Sequence, residues 1–289
     1  MSQPDTKAAR PLTCSRCRAR RAVYLRSSSG EVLCQRCLWD EVLALTSRAV
    51  SRVNPGPSSR FLVPISSFAP STSLVAALAL SVVERRFRST VILGVPSFYP
   101  RDIVVGLSGR PRIEVQAFEV SPRPPQEADL VYCTRYDRAW SLRAAATVGA
   151  DIIVFPLTRS DLTALLLESL LHGPRDGVFD CQASYLIRGL KALNLFHLIE
   201  RETIAALEYL EGYQLLPACR PKLITKQVMM SIAGAPERDY GGLPLPVELA
   251  HLLRAPGTCV ACGAPSIGPL CEPCRSMGLG SLSVRALSR

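Results

Sequence analysis

The sequence predicts an α/β fold on a parallel sheet, flanked at each end by a small cysteine-rich unit. Three observations carry this: strand-length apolar runs alternate with helical runs between residues 61 and 171, two C-x-x-C pairs stand near the start, and two more stand near the end. Alternation of this kind implies a sheet with helices on both faces. At 289 residues the chain is long enough for one sizeable core with attachments. Its expected divisions are an N-terminal ribbon and linking helix (1–55), a central α/β domain with a helical C-terminal part (56–254), and a C-terminal ribbon and tail (255–289).

In the N-terminal unit, Cys14 and Cys17 are followed after sixteen residues by Cys34 and Cys37. Two knuckles at that distance suit one tetrahedral zinc, with the intervening Ser/Gly turn folding back as a hairpin. Arg16, Arg18, Arg20, Arg21, Arg26 and Arg36 crowd the same segment, a density suited to phosphate contacts or to a solvated charged surface. An amphipathic helix is expected over 38–53, then a linker, NPGPSS, at 54–59.

The central stretch opens with an apolar run at 61–65, a Ser/Pro-rich loop at 66–73 and an Ala/Leu-rich helix from Leu74. Further strands are expected at 90–95, 113–118, 130–133 and 151–155, with helices at 139–148 and 160–171. The last third, 201–253, reads as mainly helical, with breaks at Gly212, Pro217, Pro221 and Gly234. Cys259 and Cys262 then precede Cys271 and Cys274 by eight residues, with turn-forming Gly263, Pro265, Gly268 and Pro269 between them, a second compact zinc knuckle.

The loop at 66–73 follows the first strand, where ligands of parallel sheets bind. A phosphate cradle there needs Gly for close backbone approach and usually a Lys or Asp. The loop has none of these. It offers Ser66, Ser67, Ser71, Thr72 and Ser73, and Phe68 or Pro70 is expected to occlude the phosphate position.

Composition bears on partners. The net charge of +10 comes from 34 basic residues, and it favours an anionic partner such as nucleic acid. The first ten residues lack the apolar core of a signal peptide, and the longest apolar run, 74–83, is far short of the roughly 20 residues a membrane span needs. The protein is therefore expected in the cytoplasm, away from membranes, where cysteine pairs read as metal ligands.

Ribbon, α/β domain, ribbon is an uncommon order, and it resembles the two-zinc PP-loop ATP pyrophosphatase family that thiolates tRNA uridines. The ribbons and ADIIVFPLTRSDLTALLLESLLHG (150–173) carry the resemblance, the latter aligning with the family's ADxxxxGHNxDD segment. It implies a PP-loop domain of the adenine nucleotide alpha hydrolase-like, Rossmann-like class. The residues matching the family's chemistry are altered: the SGGKDS loop is reduced to Ser66, Ser67, Ser71, Thr72 and Ser73, and of GHNxDD only Asp161 remains. The family's C-x-x-C becomes Cys133 with Tyr136, followed by Asp137, and Cys219 matches the third active-site cysteine. By this resemblance Cys133 and Cys219 are the candidate catalytic thiols; as residues, each also reads as a small core hydrophobe. Cys181 reads as packing, and Glu200, Glu202 and Glu208 as a solvated helix face.

The resulting expectation is a tRNA-binding pseudoenzyme with two structural zinc ions and neither ATP with magnesium nor an iron–sulfur cluster. It would be partnered by RNA and by an intact paralogue or a second copy of itself. Two alternatives stand beside it: an active ATP-dependent tRNA sulfurtransferase using Cys133 and Cys219, and a structural protein-interaction module of a larger assembly.

Overall fold

The computed structural model describes residues 12–100, 112–171, 175–222 and 257–287. The helical reading of 223–253 lies outside the described residues, as do His172 and His251. A hairpin of β1 (Tyr24–Leu25) and β2 (Val32–Leu33) leads into α1 (Gln35–Ser51). Then come β3 (Arg60–Pro64), α2 (Pro70–Val83), β4 (Thr90–Pro96), β5 (Ile113–Ser121) and the short β6 (Glu127–Ala128). Next are α3 (Leu130–Val148), β7 (Ile152–Thr158), α4 (Arg159–Leu171), β8 (Ser184–Ile187), β9 (Leu190–Phe196) and α5 (Arg201–Leu210). The chain closes with β10 (Arg220–Pro221), β11 (Gly257–Thr258), β12 (Pro265–Ser266), α6 (Glu272–Ser276) and β13 (Ser283–Ala286).

Seven strands form the central sheet in the order β13-β5-β4-β3-β7-β9-β8, and the inner five run parallel. The expected α/β class holds. Strand side chains alternate between two cores: Phe61, Val63, Ile152 and Val154 pack with α1, α2 and α5, whereas Leu62, Ile153 and Phe155 pack with α3 and α4. Cys14, Cys34 and Cys37 belong to the first core, and Cys259, Cys262, Cys271 and Cys274 to the second. The two cysteine quartets thus sit on opposite faces of one sheet.

Three elements differ from the sequence reading. The apolar run at 130–133, expected as a strand, is the first turn of α3, which continues unbroken to Val148. A short apolar run has the same pattern in a strand and a buried helix turn. What starts the helix is remote: the Glu168 carboxylate, from α4, accepts from the free N–H groups of Leu130 and Val131 at 3.1 and 3.3 Å. The β8–β9 hairpin and β13 were not anticipated. β13 pairs antiparallel with β5 and stitches the segment after the second quartet onto the sheet edge.

Gly94, in β4, leaves room for the Trp140 ring: a Cβ there would lie 3.1 Å from Leu62, 3.3 Å from Trp140 and 3.4 Å from Phe118. Gly94→Ala is expected to lose about 1–3 kcal/mol of stability through overpacking, read as a lower urea midpoint with an unchanged m-value.

Candidate functional site

In an open parallel sheet the ligand crevice forms where strand order reverses, outside the carboxyl ends of the strands. Here β3 is flanked by β4 on one side and β7 on the other, so the turns leaving β3 and β7 bound that crevice. Ser66, Ser67, Ser71, Thr72 and Ser73 occupy the β3–α2 turn and the start of α2, and all five are buried.

The N–H groups of this turn are taken by the protein's own acceptors. Ser66 N donates to Ser73 Oγ at 2.9 Å, and Phe68 N and Ala69 N donate to Ser66 Oγ at 3.3 and 3.2 Å. Ser67 N donates to both carboxylate oxygens of Asp137, at 3.0 and 2.9 Å, and Ser66 Oγ donates to Asp137 Oδ2 at 2.8 Å. Asp137 comes from the second turn of α3 and is buried. A carboxylate belonging to the chain is thus the anion this turn binds. Burial pushes the Asp137 carboxyl up to about 7, against the opposing pull of the hydrogen bonds from Ser66 and Ser67. Neither Phe68 nor Pro70 supplies the turn's acceptor: Phe68 packs beside Cys133 and Cys219, and Pro70 begins α2, where a missing N–H costs nothing.

The segment after α5 covers the turn from outside. Tyr99 Oη donates to the carbonyls of Ser66 and Ser67 and accepts from Ala218 N at 3.2 Å; Cys219 N donates to Ser67 O at 2.8 Å. Leu215 N donates to Ser71 Oγ at 2.9 Å. Thr72 Oγ1 donates to Glu208 Oε1 at 2.6 Å, and Arg201 bonds both Thr72 and Glu208. Glu208 is therefore buried, unlike the solvated face expected of it, and burial raises its pKa. Ser67 Oγ has no partner among the described residues.

Asp161, expected beside a nucleotide, caps its own helix. Its Oδ2 accepts from Thr158 N and Thr158 Oγ1 at 2.9 and 2.7 Å while Asp161 N donates to Thr158 Oγ1 at 3.2 Å, a reciprocal capping box. Cys133 and Cys219 are brought together: they form a disulfide, with Cα atoms 6.0 Å apart across 86 residues of sequence. The parallel β6–β10 pairing holds Cys219 against the start of α3.

The sulfur atoms of Cys14, Cys17, Cys34 and Cys37 all lie within 4.8 Å of one another, as do those of Cys259, Cys262, Cys271 and Cys274. Each quartet can hold a metal. At the second quartet Arg135, fully buried on α3, donates to Cys271 Sγ at 3.5 Å and Cys262 Sγ at 3.7 Å. Arg135 also pairs with Asp180, which pairs with Arg138 as well. Burial works against the charge on Arg138, and Asp180 more than offsets it, so the pKa stands above its ordinary value. The Arg138 guanidinium also lies 4.8 Å from the ring centroid of Tyr185 and 5.3 Å from that of Phe179. Arg135 and Arg138 share the Asp180 carboxylate, and a thiolate-ligated metal centre, which is net negative, would add a further counter-charge beside Arg135. The donor set and its surroundings fit a metal.

No protein-family model matches the chain, and no curated protein matches it. Among solved structures it is similar to the U34-tRNA thiolase NcsA from Methanococcus maripaludis with its [4Fe-4S] cluster, at 16% identity, with a TM-score of 0.63 and coverage of 93% of this chain and 96% of that one. The two share a fold. That neighbour corrects the expectation that iron–sulfur chemistry has no place here: the architecture hosts a cluster in the thiolase, and either quartet has the sulfur donors for iron–sulfur or for zinc. Nucleotide phosphates fare differently. The turn's N–H groups at 66–69 are already bonded, Ser67 N to the Asp137 carboxylate and the other three to the hydroxyls of Ser66 and Ser73, so the residues present do not fit a phosphate cradle.

Sequence reasoning noticed Asp137 only as the residue that follows the altered C-x-x-C, and it passed over Arg135, Arg138 and Asp180. The R-x-x-R spacing of Arg135 and Arg138 puts both on one helix face, a signal hidden once the start of α3 is read as a strand.

Two outcomes are expected. Asp137 has a folded pKa near 7 against an ordinary 3.8, so its contribution is most favourable below about pH 4 and is lost as pH rises through about 7. Asp137→Asn removes that slope, so the stability difference between wild type and variant should shift steadily between pH 4 and 7 in urea unfolding. Arg135→Gln should weaken metal retention at the second quartet by about 10–100-fold and spare the first, read by chelator competition with native mass spectrometry.

Proposed function

We propose that this chain is a tRNA-binding relative of the tRNA thiolases that has lost ATP activation and works as the RNA-holding partner of an intact paralogue or of a second copy. The single observation that carries this reading is the capture of the β3–α2 turn by Asp137. Adenylation needs that turn to position and neutralise a triphosphate. With its N–H groups bonded internally, it can do neither. The fold likeness to a tRNA thiolase over nearly the whole chain supports the tRNA half, as does the net charge of +10.

One observation favours a second reading, in which the chain transfers sulfur: Cys133 and Cys219 meet directly beside Ser67. Reduced, they would present two thiols at the same end of the sheet.

Calorimetric titration at several salt concentrations tests the first reading. The expected result is tRNA binding that weakens with salt and no heat from ATP with magnesium at millimolar concentration; micromolar ATP affinity, or no preference for tRNA over a neutral polymer, contradicts it. Thiouridine formed in vitro by anaerobically reduced protein supplied with tRNA, ATP and a sulfide donor, and abolished in Cys133→Ser, would establish the second reading instead.

A further inference from the structure

A cavity of about 500 Å³ opens between the N-terminal hairpin and the end of α5, away from the β3–α2 turn. Leu12, Val23, Leu25, Tyr24 and Tyr209 give it apolar and aromatic walls, and Arg21 stands at its edge. Such a surface is unusual for its exposure: Tyr209 is 74% exposed, Leu12 64%, Leu25 58% and Val23 50%. Side chains of this size left in water as one contiguous patch mark a binding surface.

The charges around it select the occupant. No acidic side chain lines the cavity, and on the hairpin and the helices beside it Glu31 and Glu41 pair with Arg16 and Arg26, Glu202 accepts from Ser27, and Glu211 accepts from Trp39 and Gln35. Arg18, Arg20 and Arg21 are exposed and make no ion pair among the described residues. An apolar, tyrosine-bearing slot whose one charged lining residue is Arg21 is complementary to a planar, hydrophobic group attached to a phosphate backbone. An apolar protein helix would satisfy the walls and leave Arg21 unpaired.

We propose that this cavity seats an unpaired nucleobase of a bound RNA, stacked against Tyr209, with a flanking phosphate on Arg21. This deepens the RNA-binding reading above and rests on it. The volume lies within the range of pockets that enclose small ligands, and a nucleoside fits it. Bases are offered to aromatic side chains by loops and single strands, whereas a duplex keeps them stacked inside, so the site selects unpaired RNA.

The test measures fluorescence anisotropy of a short labelled oligouridylate and of a blunt RNA duplex against the full chain, with tRNA as a third ligand. Tyr209→Ala should weaken oligouridylate binding about tenfold, by loss of one stacking contact, and leave duplex binding within twofold. Arg21→Gln should reduce the salt slope for all three ligands by about one. Because Tyr209 is mostly exposed, an unchanged melting temperature shows that the variant folds. Wild-type protein that binds tRNA in a salt-dependent way while Tyr209→Ala binds oligouridylate equally well would overturn this inference and leave the proposed function standing. Wild-type protein that binds none of the three would overturn both.

Discussion

The contact on which the site depends is the one between Asp137 and the turn after β3. A carboxylate buried in a low-dielectric interior is costly unless donors surround it, and Ser66 Oγ and Ser67 N supply them. The reverse also holds, since an N–H left bare at a strand end would need a ligand or water. Each side satisfies the other, which makes the turn a closed unit. The cover formed by Tyr99, Leu215, Ala218 and Cys219 then rests on a turn whose shape does not depend on what enters the crevice.

Helix α3 distributes this constraint through the molecule. Cys133 and Asp137, four residues apart, share the face turned to the β3–α2 turn, and Arg135 and Arg138 reach the second cysteine quartet and Asp180. The two quartets differ in surroundings as a result. The first lies under a hairpin with free, exposed arginines. The second is packed against a buried guanidinium, where added hydrogen bonds to sulfur stabilise thiolate and orient the ligands. A metal at the second quartet is thereby tied to the buried ion pairs of α3, and one at the first would sit between the first core and the exposed hairpin.

Much of this was legible from residues alone, because it rests on local patterns. Strand-length apolar runs and their spacing by helices place the sheet, and each doubled C-x-x-C reads as one four-sulfur site. The family likeness singles out Cys133 and Cys219 as candidate thiols, with Cys133 at the end of a strand; their disulfide and the helical setting of Cys133 come from the structure. The failures share a cause. The start of α3 depends on Glu168, nearly forty residues away; β13 depends on the open edge of β5; Glu208 looks solvated on its own helix and is buried against Thr72 of α2. Partners distant in sequence leave no periodic trace. Asp161 shows the opposite case, since Thr158 and Asp161 carry a capping box that could have been read directly from TRSD.

The most direct test of the central claim is a crystal structure of the protein soaked with a non-hydrolysable ATP analogue and magnesium. The account predicts that the Asp137 carboxylate stays within hydrogen-bonding distance of Ser67 N and that no phosphate density appears at the β3–α2 turn. A triphosphate bonded to the N–H groups of Ser66 and Ser67, with Asp137 turned away, would contradict it.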